Sequence, residues 1–139
     1  EKGNIFHLIM SEIYSVKDIN LVLNKYYELG EISTNKKEKL KEIIYKITKN
    51  KELKEFYNPK YKSFNEREII EKNGKSFIPD RIVFLNDKDI VLIDYKTGTK
   101  KSKYLNQLKD YEFRLHKIGL NTIKKIIIYV SDDIEIECF

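Results

Sequence analysis

Two aspartates and a lysine stand at the ends of apolar runs. Asp80 precedes Arg81-Ile82-Val83-Phe84-Leu85, and Ile90-Val91-Leu92-Ile93 ends in Asp94, with Lys96 two positions on. Two carboxylates facing one another in a half-buried place repel. One then takes up a proton unless a cation sits between them. A divalent ion is the natural solution, and oxygen ligands favour Mg²⁺, Mn²⁺ or Ca²⁺ over soft metals. Lys96 lies on the same face as Asp94 by strand parity. Its ammonium could orient an attacking water or stabilise charge developing on a phosphate. The ion could polarise that phosphate and acidify the water. Together these parts make metal-assisted phosphodiester hydrolysis coherent. The competing reading is a plain strand-end acid–base pair leading into Thr97-Gly98-Thr99, since D-x-K alone is common.

Whether the aspartates meet depends on register. A three-residue loop at 86–88 pairs Leu85 with Asp89, and hence Asp80 with Asp94, with Cβ atoms about 4.5–5.5 Å apart. A two-residue turn at 87 and 88 would put them on opposite faces. By the same parity Phe77, Val83 and Leu85 share one face with Val91 and Ile93. Ile78, Ile82 and Phe84 share the other with Ile90 and Leu92. Strands apolar on both faces are covered on both sides.

The remaining elements must carry this hairpin. Residues 64–72, 76–86 and 89–96 read as three strands, with Asn73-Gly74 as a two-residue hairpin turn. The first sixty residues read as helical. Asn4 caps a helix from Ile5 to about Tyr14, and Ser15 with Asp18 resembles a capping box. The next helix runs to Leu29 and stops at Gly30. A third starts at Asn35, with Glu38 three later, and runs through Lys49, with Leu40, Ile43, Ile44 and Ile47 at helical spacing. A fourth helix, 102–118, carries Leu105, Leu108, Tyr111, Leu115 and Ile118 on one stripe before Gly119. Strands at 126–130 and 134–139 close the chain. The expected class is α/β, with helices, three antiparallel strands, a helix and one or two strands in a mixed sheet.

The 139 residues suit one domain. With 41% hydrophobic and 35% charged residues, a globular chain is expected. No apolar run approaches the roughly 18 residues of a membrane span. There is no secretory pattern. The single cysteine, Cys138, excludes an internal disulfide framework and a cysteine-rich zinc site. A reducing, cytoplasmic setting is the simplest expectation. The first residue is not Met, which fits a fragment of a longer protein as well as processing. A net charge of +5 permits a nucleic-acid partner without requiring one.

Four segments resemble, in order, the motifs of PD-(D/E)XK nucleases of the RecB type: G-N-I-F-H-L-I (3–9), I-P-D-R-I (78–82), I-D-Y-K-T-G (93–98) and Q-L-K-D-Y (107–111). Within that type the chain resembles the nuclease domain at the C-terminal end of UvrD-like helicases of the AddA kind, where N-E (65–66) also has a counterpart. The resemblance covers nearly the whole chain and is weakest over residues 15–60. It departs at Ile78, where Gly or Arg is usual. It implies that His7, Asp80 and Asp94, with the carbonyl of Tyr95, hold Mg²⁺ or Mn²⁺, and that Lys96 is the catalytic cation. It implies that Gln107 and Tyr111, four apart on one helical face, border the active site and DNA. It also implies a partner, the helicase portion of a parent chain. These 139 residues contain no nucleotide-binding glycine loop, so any motor is supplied by other sequence.

Each assignment has an ordinary competitor. A lone histidine in a buried helix is more often a hydrogen-bonded core residue than a ligand. Tyr111 lies on the apolar stripe and could simply pack, with Gln107 at its flank. Glu66 matches the family's first-strand acid, yet pairing through a two-residue Asn73-Gly74 turn puts Arg67, rather than Glu66 or Glu68, on the face of Asp80. A bulge would reverse this. His116 lacks a comparable context and is expected at the surface. Lys100, Lys101 and Lys103 could hold phosphates or form a solvated loop. A nuclease-like fold kept as a catalytically silent DNA-binding or docking module is the rival function. A restriction-type endonuclease would share the D…DxK chemistry but normally needs base-reading elements, for which the chain offers no clear candidate.

Overall fold

The apolar stripes and turn residues resolve into three layers. A computed structural model describes residues 4–139. Asn4 caps α1 (Ile5–Met10), its side chain accepting from the His7 amide at 2.9 Å. The helix ends four residues earlier than its apolar run suggests, because Asp18 draws the amides of Tyr14 and Ser15 to its carboxylate. That bend opens a single 3-10 turn, Val16–Asp18, before α2 (Ile19–Glu28). Gly30, at φ 76°, supplies the left-handed residue that stops α2. The cap of α3 (Thr34–Lys49) is Ser33, which accepts from the Lys36 amide, and not Asn35.

The strands are β1 (Lys62–Asn65), β2 (Ile69–Ile70), β3 (Ser76–Phe77), β4 (Arg81–Phe84), β5 (Asp89–Thr97), β6 (Asn121–Val130) and β7 (Ile134–Cys138), with α4 (Ser102–His116) crossing between β5 and β6. The main sheet has the order β1-β4-β5-β6-β7, with β5 and β6 parallel and the other neighbours antiparallel. β6 begins five residues earlier than expected. Its polar start, Asn121 to Lys125, pairs with β5 from Asp89 onward.

One face of the sheet, through Val83, Val91, Ile93 and Tyr95, packs against α1, α2 and α3. The other, through Ile82, Ile90 and Leu92, packs against Leu108, Tyr111 and Leu115 of α4. Phe77 departs from its expected face. The chain leaves regular pairing at Ile78-Pro79, and Phe77 stacks on Tyr111 with ring centroids 5.1 Å apart. Two expected strands are each interrupted, so β2 and β3 form a separate ribbon.

Arg81 locks the helical layer to the sheet. Its guanidinium is 1% exposed. It donates to the carbonyls of Ile13, Tyr14 and Phe56 and to Asn65 Oδ1, at 2.8–3.2 Å. It also lies over the Tyr57 ring, 4.2 Å from the centroid. Asn65 donates in turn to the carbonyls of Met10, Ser11 and Ile13. Both terminal nitrogens of the buried charge are thus bonded, and Nε alone lacks a partner. Arg81→Leu removes the side-chain donor from the Tyr14 and Phe56 carbonyls and leaves the Ile13 carbonyl only that of Asn65. We expect it to lower unfolding stability by roughly 3–5 kcal/mol, read from urea midpoints. Arg81→Lys should recover less than half, because one ammonium cannot span the four acceptors. A leucine variant as stable as the parent would refute this account.

Candidate active site

Loop length decides which acids meet. Leu85 donates to the Asp89 carbonyl across a three-residue loop, and Arg81 pairs with Ile93. Continuing that register sets Asp80 opposite Asp94, and the Asp80 amide donates to Asp94 Oδ1 at 3.3 Å. The second loop differs from expectation. Ile70 pairs with Ser76, and Glu71 accepts from Gly74 and donates to the Lys75 carbonyl. Residues 72–74 therefore form a three-residue loop with Gly74 at φ 88°. The extra residue shifts the pairing by one, so Glu66, not Arg67, stands across from Asp80. The Glu66 amide donates to the Asp80 carbonyl at 3.0 Å. Glu66 itself sits at φ 52°, a left-handed conformation costly for a residue with a side chain.

The acids lie in a cleft of about 560 Å³ lined by His7, Glu66, Asp80, Asp94, Lys96, Gln107 and Tyr111, with Leu8, Ser11 and Ile78 at its walls. Every side chain expected at the site is thus brought to one place. His7 reaches it from α1, and Gln107 and Tyr111 from α4 on the opposite side of the sheet. His116 is exposed and outside it. Gly3, the glycine of the N-terminal motif, lies outside the described residues.

The His7 ring is held at both nitrogens. Nδ1 faces Asn4 Oδ1 at 3.1 Å, while Nε2 lies 2.9 Å from the Tyr95 carbonyl and 3.4 Å from Asp80 Oδ2. Asp80 Oδ2 also accepts from the Tyr95 amide at 2.9 Å. Lys96 Nζ sits 3.5 Å from Asp94 Oδ2 and donates to Gln107 Oε1 at 3.1 Å. The sequence marks Asn4 only as a cap, yet its place three residues before His7 also puts it within reach of the ring. Nothing in the sequence singles out Leu8 or Ile78.

The surplus of carboxylates shows in their acidities. Burial and then the charge of Asp80 push Asp94, which is 3% exposed, up to about 7, against the pull of Lys96. Partial burial and Asp80 raise the exposed Glu66 to about 7 as well. The Asp80 carboxylate beside the His7 ring raises its pKa, with burial opposing.

Whether the residues fit a hard cation can be tested on these distances. His7 Nε2 lies 2.9 Å from the Tyr95 carbonyl and 3.4 Å from Asp80 Oδ2, near the roughly 3 Å between neighbouring ligands of an octahedral ion with bonds of about 2.1 Å. Asn4 could hold Nδ1–H and leave Nε2 free to ligate. Among the described residues no three acidic, histidine or cysteine side chains already form a cage. Asp94 is the donor turned aside, toward Lys96 and the Asp80 amide. By type, two carboxylates, an imidazole and a carbonyl oxygen fit a hard divalent ion.

No family model matches the chain, and no curated protein does. Among solved structures it is similar to SSO0001, at 18% identity and a TM-score of 0.39 over 99% of this chain and 68% of that one. No described helix is long and apolar enough to cross a membrane.

The raised acids make stability depend on pH. Asp94 holds its proton more tightly folded than at its ordinary value of 3.8. Its contribution is therefore complete below about 4 and lost as pH rises through about 7. His7, also raised, acts in the same direction. In chelator, Asp94→Asn should flatten the fall in stability between these limits, by on the order of 2–4 kcal/mol. Parallel pH profiles for variant and parent would contradict the buried-acid account.

Proposed function

We propose that this chain is a divalent-metal-dependent nuclease that hydrolyses phosphodiester bonds in DNA. The observation carrying the reading is the placement of Asp80 and Asp94 abreast in a cleft, with Lys96 3.5 Å from Asp94 and His7 3.4 Å from Asp80. Structural ion pairs can also shift acids, but they seldom gather a lysine, a histidine and three carboxylates at one concavity.

Asp80, Asp94, His7 and the Tyr95 carbonyl would hold Mg²⁺ or Mn²⁺, which would supply positive charge to a phosphate oxygen and acidify a water. Gln107 holds the Lys96 ammonium by its amide oxygen, so the charge is aimed rather than mobile. From there it would orient the attacking water and neutralise charge on the phosphate. Glu66, near neutrality in acidity, is placed to accept a proton. Tyr111, stacked on Phe77, forms a fixed wall for the substrate strand. The sequence motifs resembling the RecB-type PD-(D/E)XK nucleases support a role in processing DNA ends, with the strand delivered by a helicase portion elsewhere.

Asp94→Ala and Lys96→Ala are each expected to reduce cleavage of labelled DNA in Mg²⁺ or Mn²⁺ by at least about 10²-fold. Calorimetric Mn²⁺ binding should vanish in Asp80→Ala. Cleavage by the alanine variants equal to the parent would reject the assignment. A parent that binds DNA tightly and cuts it in no metal would favour the silent module instead.

A further inference from the structure

Three closely spaced basic positions after β5, Lys100, Lys101 and Lys103, have different surroundings. Gly98, at φ 89°, turns the chain out of the strand. Lys100 then folds back onto β7, 3.0 Å from Glu135 and 3.1 Å from Glu137, and its charge is balanced there. Lys101 and Lys103 lie instead near Tyr104. Their ammoniums lie 6.0 and 5.8 Å from the centroid of the Tyr104 ring, and Lys96 lies 4.8 Å from the same ring. Tyr104 is anchored by packing against the α4-side core and faces Tyr129 at 6.3 Å.

Lys96 is matched by Asp94. Lys101 and Lys103 have no carboxylate within ion-pairing distance among the described residues. Two uncompensated charges are thus gathered on a fixed aromatic platform, next to a third that reaches into the cleft. Lys103 is also four residues before Gln107, and so one turn of α4 away on the face that carries Gln107 to the cleft.

We propose that Lys101 and Lys103, held around Tyr104, form a seat for backbone phosphates of a nucleic-acid strand whose neighbouring phosphate lies in the acid cleft, and that Lys100 takes no part. The inference rests on the nuclease reading for the identity of its ligand. It divides three adjacent lysines that composition treats alike. A polyanion relieves the mutual repulsion of the ammoniums around the ring. Tyr104 offers a flat surface beside them on which a base can rest.

Counterion release gives the test. Each phosphate neutralised on a single strand contributes about 0.7 to the slope of log affinity against log salt. Binding of a short labelled single-stranded DNA is measured in chelator, between about 50 and 200 mM KCl. The double variant Lys101→Gln/Lys103→Gln should lose about 1.4 from the slope, with an unchanged melting temperature. Lys100→Gln should leave the slope as it is. So should Lys17→Gln/Lys51→Gln, which removes the same charge from exposed positions of the helical half. An unchanged slope in the first double variant would overturn the proposal. So would an equal loss in either control, which would mean diffuse attraction. An equal loss of binding to phosphatidylserine vesicles would assign the patch to anionic surfaces in general and overturn it too. Because no hydrolysis is read, absence of cleavage would sink the nuclease reading alone. A failed salt test with cleavage intact would sink only the lysine seat.

Discussion

Strand register is the constraint on which everything else in this molecule depends. Two three-residue loops, at 72–74 and 86–88, set the pairing of β1 with β4 and of β4 with β5. Together they place Glu66, just after β1, and Asp80, just before β4, beside Asp94 of β5. A slip of one residue in either loop would carry an acid to the opposite face of the sheet. The hydrophobic cores hold the register against such a slip. Val83, Val91 and Ile93 face the helical layer, while Ile82, Ile90 and Leu92 face α4, and neither set can move without exposing apolar area. The chemistry at the sheet's end is therefore specified by packing some distance away.

Arg81 converts that register into a site. It follows Asp80 directly and points the other way, into the helical layer, where it binds carbonyls from the segment after α1 and from the turn before β1. Its bond to Asn65 fixes the residue before Glu66, just where the chain bends into its left-handed conformation. Tyr57 stacks under the guanidinium and its hydroxyl lies 2.5 Å from that of Tyr95. One buried cation thus reaches the backbone around Glu66, Asp80 and Asp94. The strain at Glu66 persists because these bonds over-determine it.

Much of this was legible in the sequence, and the parts that were not have physical causes. Apolar periodicity placed α4 and β5 closely, and the 86–88 loop was one of two lengths the sequence allowed, the one on which the meeting of the two acids depended. The 72–74 loop could not be inferred the same way. Asn73-Gly74 favours a two-residue turn, yet glycine at positive φ serves a three-residue loop equally well, and sequence does not distinguish the two. The early part of β6 was hidden because Thr122, Lys124 and Lys125 are polar, and parallel pairing with a long β5 overrode their weak strand character. α1 ended early because a capping carboxylate competes for amides locally, which an apolar count does not register. Asn4 was visible as a cap, but its contact with the His7 ring belongs to side-chain geometry that spacing only permits.

The charge balance of the cleft ties these elements to a single chemistry. Fully ionised, Glu66, Asp80 and Asp94 carry three negative charges against the one ammonium of Lys96. The excess of two equals the charge of one divalent ion. It also equals the number of acids, Glu66 and Asp94, whose proton affinity is raised to near neutrality. Protons and a divalent ion are thus alternative ways of settling the same imbalance, and His7, also raised, shares in the first. In this structure Asp94 faces Lys96 at 3.5 Å and His7 rests on the Tyr95 carbonyl. Removing those protons leaves oxygen and nitrogen lone pairs gathered with too few donors to satisfy them. A fold that needed only stability would have placed apolar groups there. The retained imbalance, beside a lysine held by Gln107, is the support on which the proposed catalytic role rests.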